Sequence, residues 1–175
     1  MIQRLIPTYL AKSAYDIPAD FYQRIHKKVI LFDLDNTLDS IDISHPSIHA
    51  KTLINSLKSA GLDVYIASNN TKKRVLRYCK PLEINGISCL LKPFSFKLKK
   101  WLKSKGYKLE EVIFIGDQIF TDVLAAKGAK IDVILTNPLS EKDSIFTFFN
   151  RKIEKNVRKK IEKNNLSKRW EEIAL

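Results

Sequence analysis

Five short apolar runs divide the chain, at residues 29–32, 63–67, 87–91, 112–115 and 131–135. None alternates with polar residues as a half-exposed strand would, so each reads as a strand covered on both faces, as in a parallel sheet. Between them the apolar positions fall three and four apart. Leu53, Ile54 and Leu57 mark a helix over 48–60 that stops at Gly61. Val75, Leu76 and Cys79 mark another, capped by Asn70 or Thr71 and ended by Pro81. Leu98, Trp101 and Leu102 mark a third over 95–105 that stops at Gly106, and a short fourth runs over 123–127 before Gly128. Strands alternating with helices predict an α/β fold with a parallel sheet of about five strands and right-handed crossovers.

The two ends differ from this middle. Ile2, Leu5, Ile6, Tyr9 and Leu10, then Phe21 and Ile25, suggest a helical lead-in over 1–28, its apolar stripe lying on the domain or on a membrane or partner surface. Over 144–175 a basic helical tail is expected. Phe146, Phe149, Ile153, Val157 and Ile161 share one face of it, with Arg151, Lys152, Lys155, Arg158, Lys159, Lys160 and Lys163 around them. No repeat or low-complexity linker interrupts the chain, so residues 1–175 read as one domain.

What stands at the strand ends changes the picture. The run Val29-Ile-Leu-Phe32 leads directly into Asp33-Leu-Asp35. Two carboxylates at a mostly buried strand end are costly unless a cation or hydrogen bonds compensate them, and open α/β sheets bind ligands at that end. A hard divalent cation such as Mg²⁺ suits oxygen donors. A calcium loop of the EF-hand type is excluded, because Leu38 stands where that loop needs glycine and a strand, not a helix, precedes it. Ser68 closes the second run, Lys92 follows the third, and Asp117 with Asp122 follows the fourth.

Composition adds bounds. The chain has 175 residues, 45% hydrophobic and 29% charged, enough for one domain with its own core. Cys79 and Cys89 form neither a Cys-x-x-Cys site nor a disulfide framework, which fits a reducing compartment. No apolar run approaches the roughly 20 residues that span a bilayer, and Arg4, Pro7 and Lys12 interrupt the start. The expected location is the cytoplasm, with peripheral contact at the inner membrane face. A net charge of +12 favours an anionic partner: a phosphorylated substrate, a membrane surface or nucleic acid. His45 and His49 lack a third ligand for a metal.

The segments Asp33-Leu-Asp-Asn-Thr37, Ser68-Asn-Asn70, Lys92-Pro93 and Gly116-Asp-Gln-Ile-Phe-Thr-Asp122, in that order and each at a strand end, resemble the four motifs of the haloacid dehalogenase (HAD) superfamily of phosphatases. With Leu5-Ile-Pro-Thr-Tyr9, Tyr15-Asp-Ile17 and Phe149-Asn-Arg-Lys152, the chain is similar to the YqeG-type subfamily of class IIIA, which is related to the fungal mitochondrial phosphatidylglycerophosphate phosphatase. The stretch Ala125-Ala-Lys-Gly-Ala129 and the pair Leu90-Leu91 depart from the family pattern without removing a catalytic group.

The resemblance implies a HAD-like Rossmannoid three-layer sandwich and a Mg²⁺-dependent phosphomonoester hydrolase. It makes Asp33 the nucleophile that becomes a phosphoaspartate, and Asp35 the acid and then the base. The metal set is the Asp33 carboxylate, the Asp35 main-chain carbonyl and Asp117, with Asp122 acting through water. Ser68 and the Asn69 amide donate to phosphate oxygens, and Lys92 offsets the charge that Asp33 and phosphate share. Asn36, Thr37 and Asn70 complete the substrate loop, Thr37 by orienting it.

About 30 residues separate the first and second motifs and about 20 the second and third, so neither gap holds a large cap domain. An open site suits a lipid headgroup, and the subfamily resemblance points to phosphatidylglycerophosphate. Two rivals stand beside this reading. One is a soluble sugar-phosphate or nucleotide phosphatase. The other is a non-enzymatic nucleic-acid-binding or assembly factor that uses the basic tail.

Overall fold

The structure, a computed structural model, describes residues 2–140 and 145–173, with the main chain alone for residue 2 and for 145–152. Strands β1 (Tyr9–Leu10), β2 (Val29–Phe32), β3 (Asp63–Ala67), β4 (Asn85–Ile87), β5 (Val112–Gly116), β6 (Asp132–Leu135) and β7 (Lys168–Arg169) form one sheet in the order β4-β3-β2-β5-β6-β1-β7. Every pairing is parallel. The helices are α1 (Ala19–Arg24), α2 (Ile48–Ser59), α3 (Lys72–Cys79), α4 (Phe96–Lys105), α5 (Leu124–Ala129) and α6 (Ile145–Lys163).

Pleating of β2 explains the layers, because successive side chains leave opposite faces of a strand. Ile30 and Phe32 join a core with Phe21, Tyr22, Ile54, Leu57, Val75 and Tyr78. Val29 and Leu31 join a second core with Leu98, Leu102, Phe114, Val123, Ala126 and Ile161. All four residues of β2 are buried, which is why the run reads as continuously apolar. Each such side chain contributes about 1.5–3 kcal/mol. α2 begins at Ser47, whose hydroxyl accepts from Ala50 N, and α3 at Thr71, whose hydroxyl accepts from Arg74 N. α4 ends on Gly106, at φ 71°.

Three expectations need correction. The sheet has seven strands rather than five, because β1 and β7 add an edge. Both lie in segments expected to be helical, and two residues are too few for any periodicity to show. The third run is strand only over Asn85–Ile87. Beyond it, Cys89 N donates to Asn70 O and Leu90 N to Ser68 O, so residues 88–91 are drawn across the sheet end, with Cys89 and Leu91 at positive φ. The short helix after the fourth run starts earlier, with a π-helical turn over Ile119–Val123 ahead of α5.

The first and last described segments meet at the added edge. Trp170 packs edge-on against Phe21, at 5.9 Å between ring centroids, and Ser167 Oγ donates to Pro7 O. Leu10 is buried, and Leu5, Val157 and Ile161 pack on the second core. Phe146, Phe149, Arg151 and Lys152 of the basic stripe lie outside the described side chains. Among the described residues no helix is long and apolar enough to cross a membrane. The segments joining the motif-bearing strand ends hold only elements of the sheet and its helices, so no large cap covers that end.

One contact has little slack. A methyl group on Gly86 would stand 2.3 Å from Val75 Cγ1 and 2.9 Å from Cys79 Sγ, so β4 approaches α3 as closely as it does only without a side chain. Gly86→Ala should therefore lower the stability by about 1–3 kcal/mol, the usual range for overpacking. An unchanged urea midpoint would show that α3 can move away freely.

Candidate active site

The strand order changes direction at β2: β3 and β4 extend one side, then β5 and β6 extend the other. Open α/β sheets leave a crevice at such a switch point, outside the carboxyl ends of the strands. Register sets what lies there. Phe32 pairs with Ile66 on one side and Ile115 on the other, so Asp33 stands level with the ends of β3 and β5. Asp33 N donates to Ile115 O at 2.8 Å, which fixes its main chain.

A single ammonium ties this end together. Lys92 Nζ donates to Asp33 Oδ1 at 2.5 Å, to Asp122 Oδ1 at 2.7 Å and to Ala67 O at 3.2 Å, and it lies 5.2 Å from the Phe114 ring centroid. Burial works against the charge of Lys92, but Asp122 and Asp33 outweigh it and hold the amine above the usual lysine range. Burial pushes the Asp33 carboxyl up, to about 7; Lys92 pulls the other way, and Asp122 and Asp35 add to the rise. With Lys92 this close and cationic, we take the ion pair as the working state of Asp33.

Asp33, Asp117 and Asp122 are all buried, and one carboxylate oxygen from each lies within 4.8 Å of the others. Three buried carboxylates gathered this closely present hard oxygen donors, which fit a divalent cation such as Mg²⁺. The three do not stand alike. Asp122 Oδ2 accepts from Gln118 N at 3.0 Å while its Oδ1 takes Lys92, so Asp122 is spent on positioning. A methyl on Gly116 would lie 2.4 Å from that Oδ2, so only glycine leaves Asp122 its place.

The acid of the first motif is held by partners from α3 and the turn before it. Arg74 Nη2 donates to Asp35 Oδ1 at 2.5 Å and to Ile41 O at 3.0 Å, and Asn70 Nδ2 donates to Asp35 Oδ2 at 2.5 Å. Asn70 also donates to Ser68 Oγ, from its side chain at 3.0 Å and its main chain at 3.1 Å. The loop after Asp35 is anchored by buried Asp39, which accepts from Tyr78 Oη at 2.6 Å and Ser47 N at 3.0 Å.

A cleft of about 300 Å³ is lined by Asp33, Asp35, Asn36, Ile41, Ser68 and Lys92, with Asn69, Asn70, Gln118 and Thr121 completing it. Thr37 does not line it: the residue is buried, and its hydroxyl has no hydrogen-bond partner among the described residues. Thr37 thus lies within the loop of the first motif and not on the cleft wall. Asn69 lines the cleft but spends its side chain on the third motif, donating to Lys92 O at 3.0 Å and accepting from Lys92 N at 2.7 Å. Asn36 sits at φ 61° and accepts from Ser140 Oγ at 2.8 Å. His49 meets Tyr15 edge-on, and His45 pairs with Ser44, neither lining the cleft. A larger cleft, about 850 Å³, lies at the amino ends of the strands, lined by residues such as Gln23, Lys28 and Glu111, far from this chemistry.

Sequence reasoning missed Arg74, Glu154 and Arg158. Arg74 stands among Lys72, Lys73 and Arg77, so nothing local marks it out. Glu154 Oε1 accepts from Phe120 N at 2.8 Å, and Arg158 Nη2 donates to Asp117 O, so α6 braces the loop that carries Asp117 and Asp122. Their only signal was an acid and a base four apart on a basic helix.

The sequence profile of the haloacid dehalogenase-like hydrolases matches residues 39–136, more than half of the chain, beginning just after Asp33 and Asp35. The chain is 30% identical to the probable phosphatase YqeG of Bacillus subtilis strain 168 over 152 residues, 87% of this chain and 88% of that protein. The fold recurs in crystal structures of two proteins. One is a hypothetical protein of Xanthomonas campestris, with TM-score 0.54 and 19% identity over 70% of this chain and 72% of that one. The other is an uncharacterized protein of Listeria monocytogenes serotype 4b, with TM-score 0.54 and 16% identity over 67% of this chain and 84% of that one. By its family match and its YqeG relative, with a site of the matching chemistry, the chain belongs to the haloacid dehalogenase-like hydrolases and is a phosphatase of that family.

Proposed function

We propose that this enzyme hydrolyses phosphomonoesters through a phosphoaspartate on Asp33, and that its substrate is a phosphorylated lipid headgroup of the phosphatidylglycerophosphate kind. The observation that carries the first part is the Lys92 ammonium between Asp33 and Asp122 at the floor of the cleft. It keeps Asp33 ionised beside a dianionic substrate, where two like charges would otherwise repel. Asp33 attacks phosphorus in line, and the ester oxygen departs with a proton from Asp35. A water molecule, giving its proton to Asp35, then cleaves the acyl phosphate and frees Asp33. Ser68 Oγ donates to a phosphate oxygen, with the Asn69 main-chain N–H beside it.

Mg²⁺ fits the Asp33 and Asp117 carboxylates with the Asp35 main-chain carbonyl, and when bound it supplies positive charge to the transferring phosphoryl group. Asn70 and Arg74 engage one oxygen each of Asp35 and so hold the acid in one orientation. The lipid part of the proposal rests on the resemblance to YqeG-type proteins, and the absence of a large cap and the net charge of +12 support it.

Asp33→Asn should lower kcat by at least about 10⁴-fold, in line with the loss of other catalytic nucleophiles. Excess chelator should abolish turnover, and Mg²⁺ should restore it; full activity in chelator would remove the metal from the proposal. A phosphate-release screen decides the substrate. Micellar phosphatidylglycerophosphate should be turned over faster than soluble sugar phosphates and nucleotides, and the opposite order would favour a soluble ester.

Arg74→Ala tests the orientation of Asp35. Alkyl phosphates need a proton on the leaving oxygen, whereas p-nitrophenyl phosphate scarcely does. The kcat for alkyl esters should fall by roughly 10²-fold, the lower range for acid–base assistance, with a much smaller fall for the aryl ester. Equal losses on both would assign Arg74 to the fold alone.

A further inference from the structure

We propose that the loop carrying Lys92 is also the surface on which the enzyme seats on an anionic lipid bilayer. The proposal rests on the lipid-substrate reading only for its purpose; its evidence is the surface itself. Lys92 is buried, yet its neighbours are turned outward: Leu91 is 49% exposed, Phe94 65% and Phe96 55%. Three large apolar side chains in six residues are unusual on a polar surface. The two phenylalanine rings lie 6.5 Å apart between centroids.

The loop is held in this form. Asn69 clamps the Lys92 main chain at both polar groups, Phe94 N donates to Leu91 O at 3.0 Å, and Lys97 Nζ donates to Cys89 O at 2.6 Å. The apolar groups therefore stand out from a supported turn and do not fold back onto the core.

Charge selects the occupant. From Ser68 to Lys105 the chain carries eleven lysines and arginines against one carboxylate, Glu83. Lys72 and Lys73 are exposed at the start of α3, and Lys99 and Lys100 on α4. A bilayer containing acidic lipid rewards both features, since it takes apolar side chains into its interface and attracts lysine at its surface. A polynucleotide would reward the charge and stack on a ring, but it offers no apolar layer for the aliphatic Leu91. Of the apolar stripes at the two ends, Leu5, Leu10, Val157 and Ile161 pack within the domain, while Ile153 is exposed. Seating this loop brings the mouth of the cleft to the lipid surface, because Lys92 belongs to both.

The test is co-sedimentation of the full chain with phosphatidylcholine vesicles and with vesicles that also contain phosphatidylglycerol, alongside Phe94→Ser/Phe96→Ser. The wild-type protein should sediment with the anionic vesicles only. The double variant should bind them about tenfold or more weakly, while hydrolysing p-nitrophenyl phosphate at the wild-type rate. Wild-type protein left in the supernatant, or equal binding by the variant, would overturn the proposal. A fall from dimer to monomer on double substitution would overturn it too, by assigning the patch to a second copy. Because the assay reads binding and not turnover, a protein that seats on anionic vesicles but hydrolyses only soluble esters would uphold this surface and sink the lipid substrate alone.

Discussion

The buried ammonium of Lys92 is the group on which the rest of this end of the molecule depends. It arrives from the loop beyond β4, passes under the end of β3 at Ala67, and bridges a carboxylate from β2 to one from the turn after β5. Removing one member of such a buried ion cluster typically costs about 3–5 kcal/mol, because the charges left behind have no water to turn to. The same pairings that fix three strand ends relative to one another also place a cation beside the nucleophile. Stability and catalysis here draw on the same atoms, so neither can be varied independently.

Around that group the structure adds rigidity in layers. Gly116 leaves room for the Asp122 carboxylate, Gln118 N holds its second oxygen, and α6 braces the turn through Glu154 and Arg158. On the other side, Asn69 clamps Lys92, and Asn70 with Arg74 fixes Asp35. Phosphoryl transfer is mainly a matter of positioning and fixed charge, so a site whose side chains are already held in place has little reorganisation left to do. The tail helix thus belongs to the scaffold of the site, over the part of its length whose side chains are described, and not to a separate appendage.

The edge formed by β1 and β7 has a similar logic. Two-residue strands contribute few hydrogen bonds, yet they bring the start and end of the described chain together and seat Trp170 on Phe21. This closure covers one side of the sheet with chain that the alternating pattern of the middle would not supply. It also draws Leu5, Leu10, Val157 and Ile161 onto the core, while Leu91, Phe94 and Phe96 around Lys92 stay exposed.

What the sequence determined by itself was everything carried by local contrast. Apolar runs that each give way to a polar residue marked Asp33, Ser68, Lys92 and Asp117 as neighbours in a parallel sheet, although Lys92 stands on a loop beyond β4 and not at its end. The tertiary structure alone decided the rest, because it depends on pairing across long separations. Arg74 meets Asp35 from 39 residues away and Glu154 meets Phe120 from 34, and neither partner alters the pattern around the other. Thr37 belongs to the loop of the first motif yet is buried and absent from the cleft lining, which its place in the sequence does not tell. Periodicity reports which face of an element is buried, but not which side chain from another element lies against it.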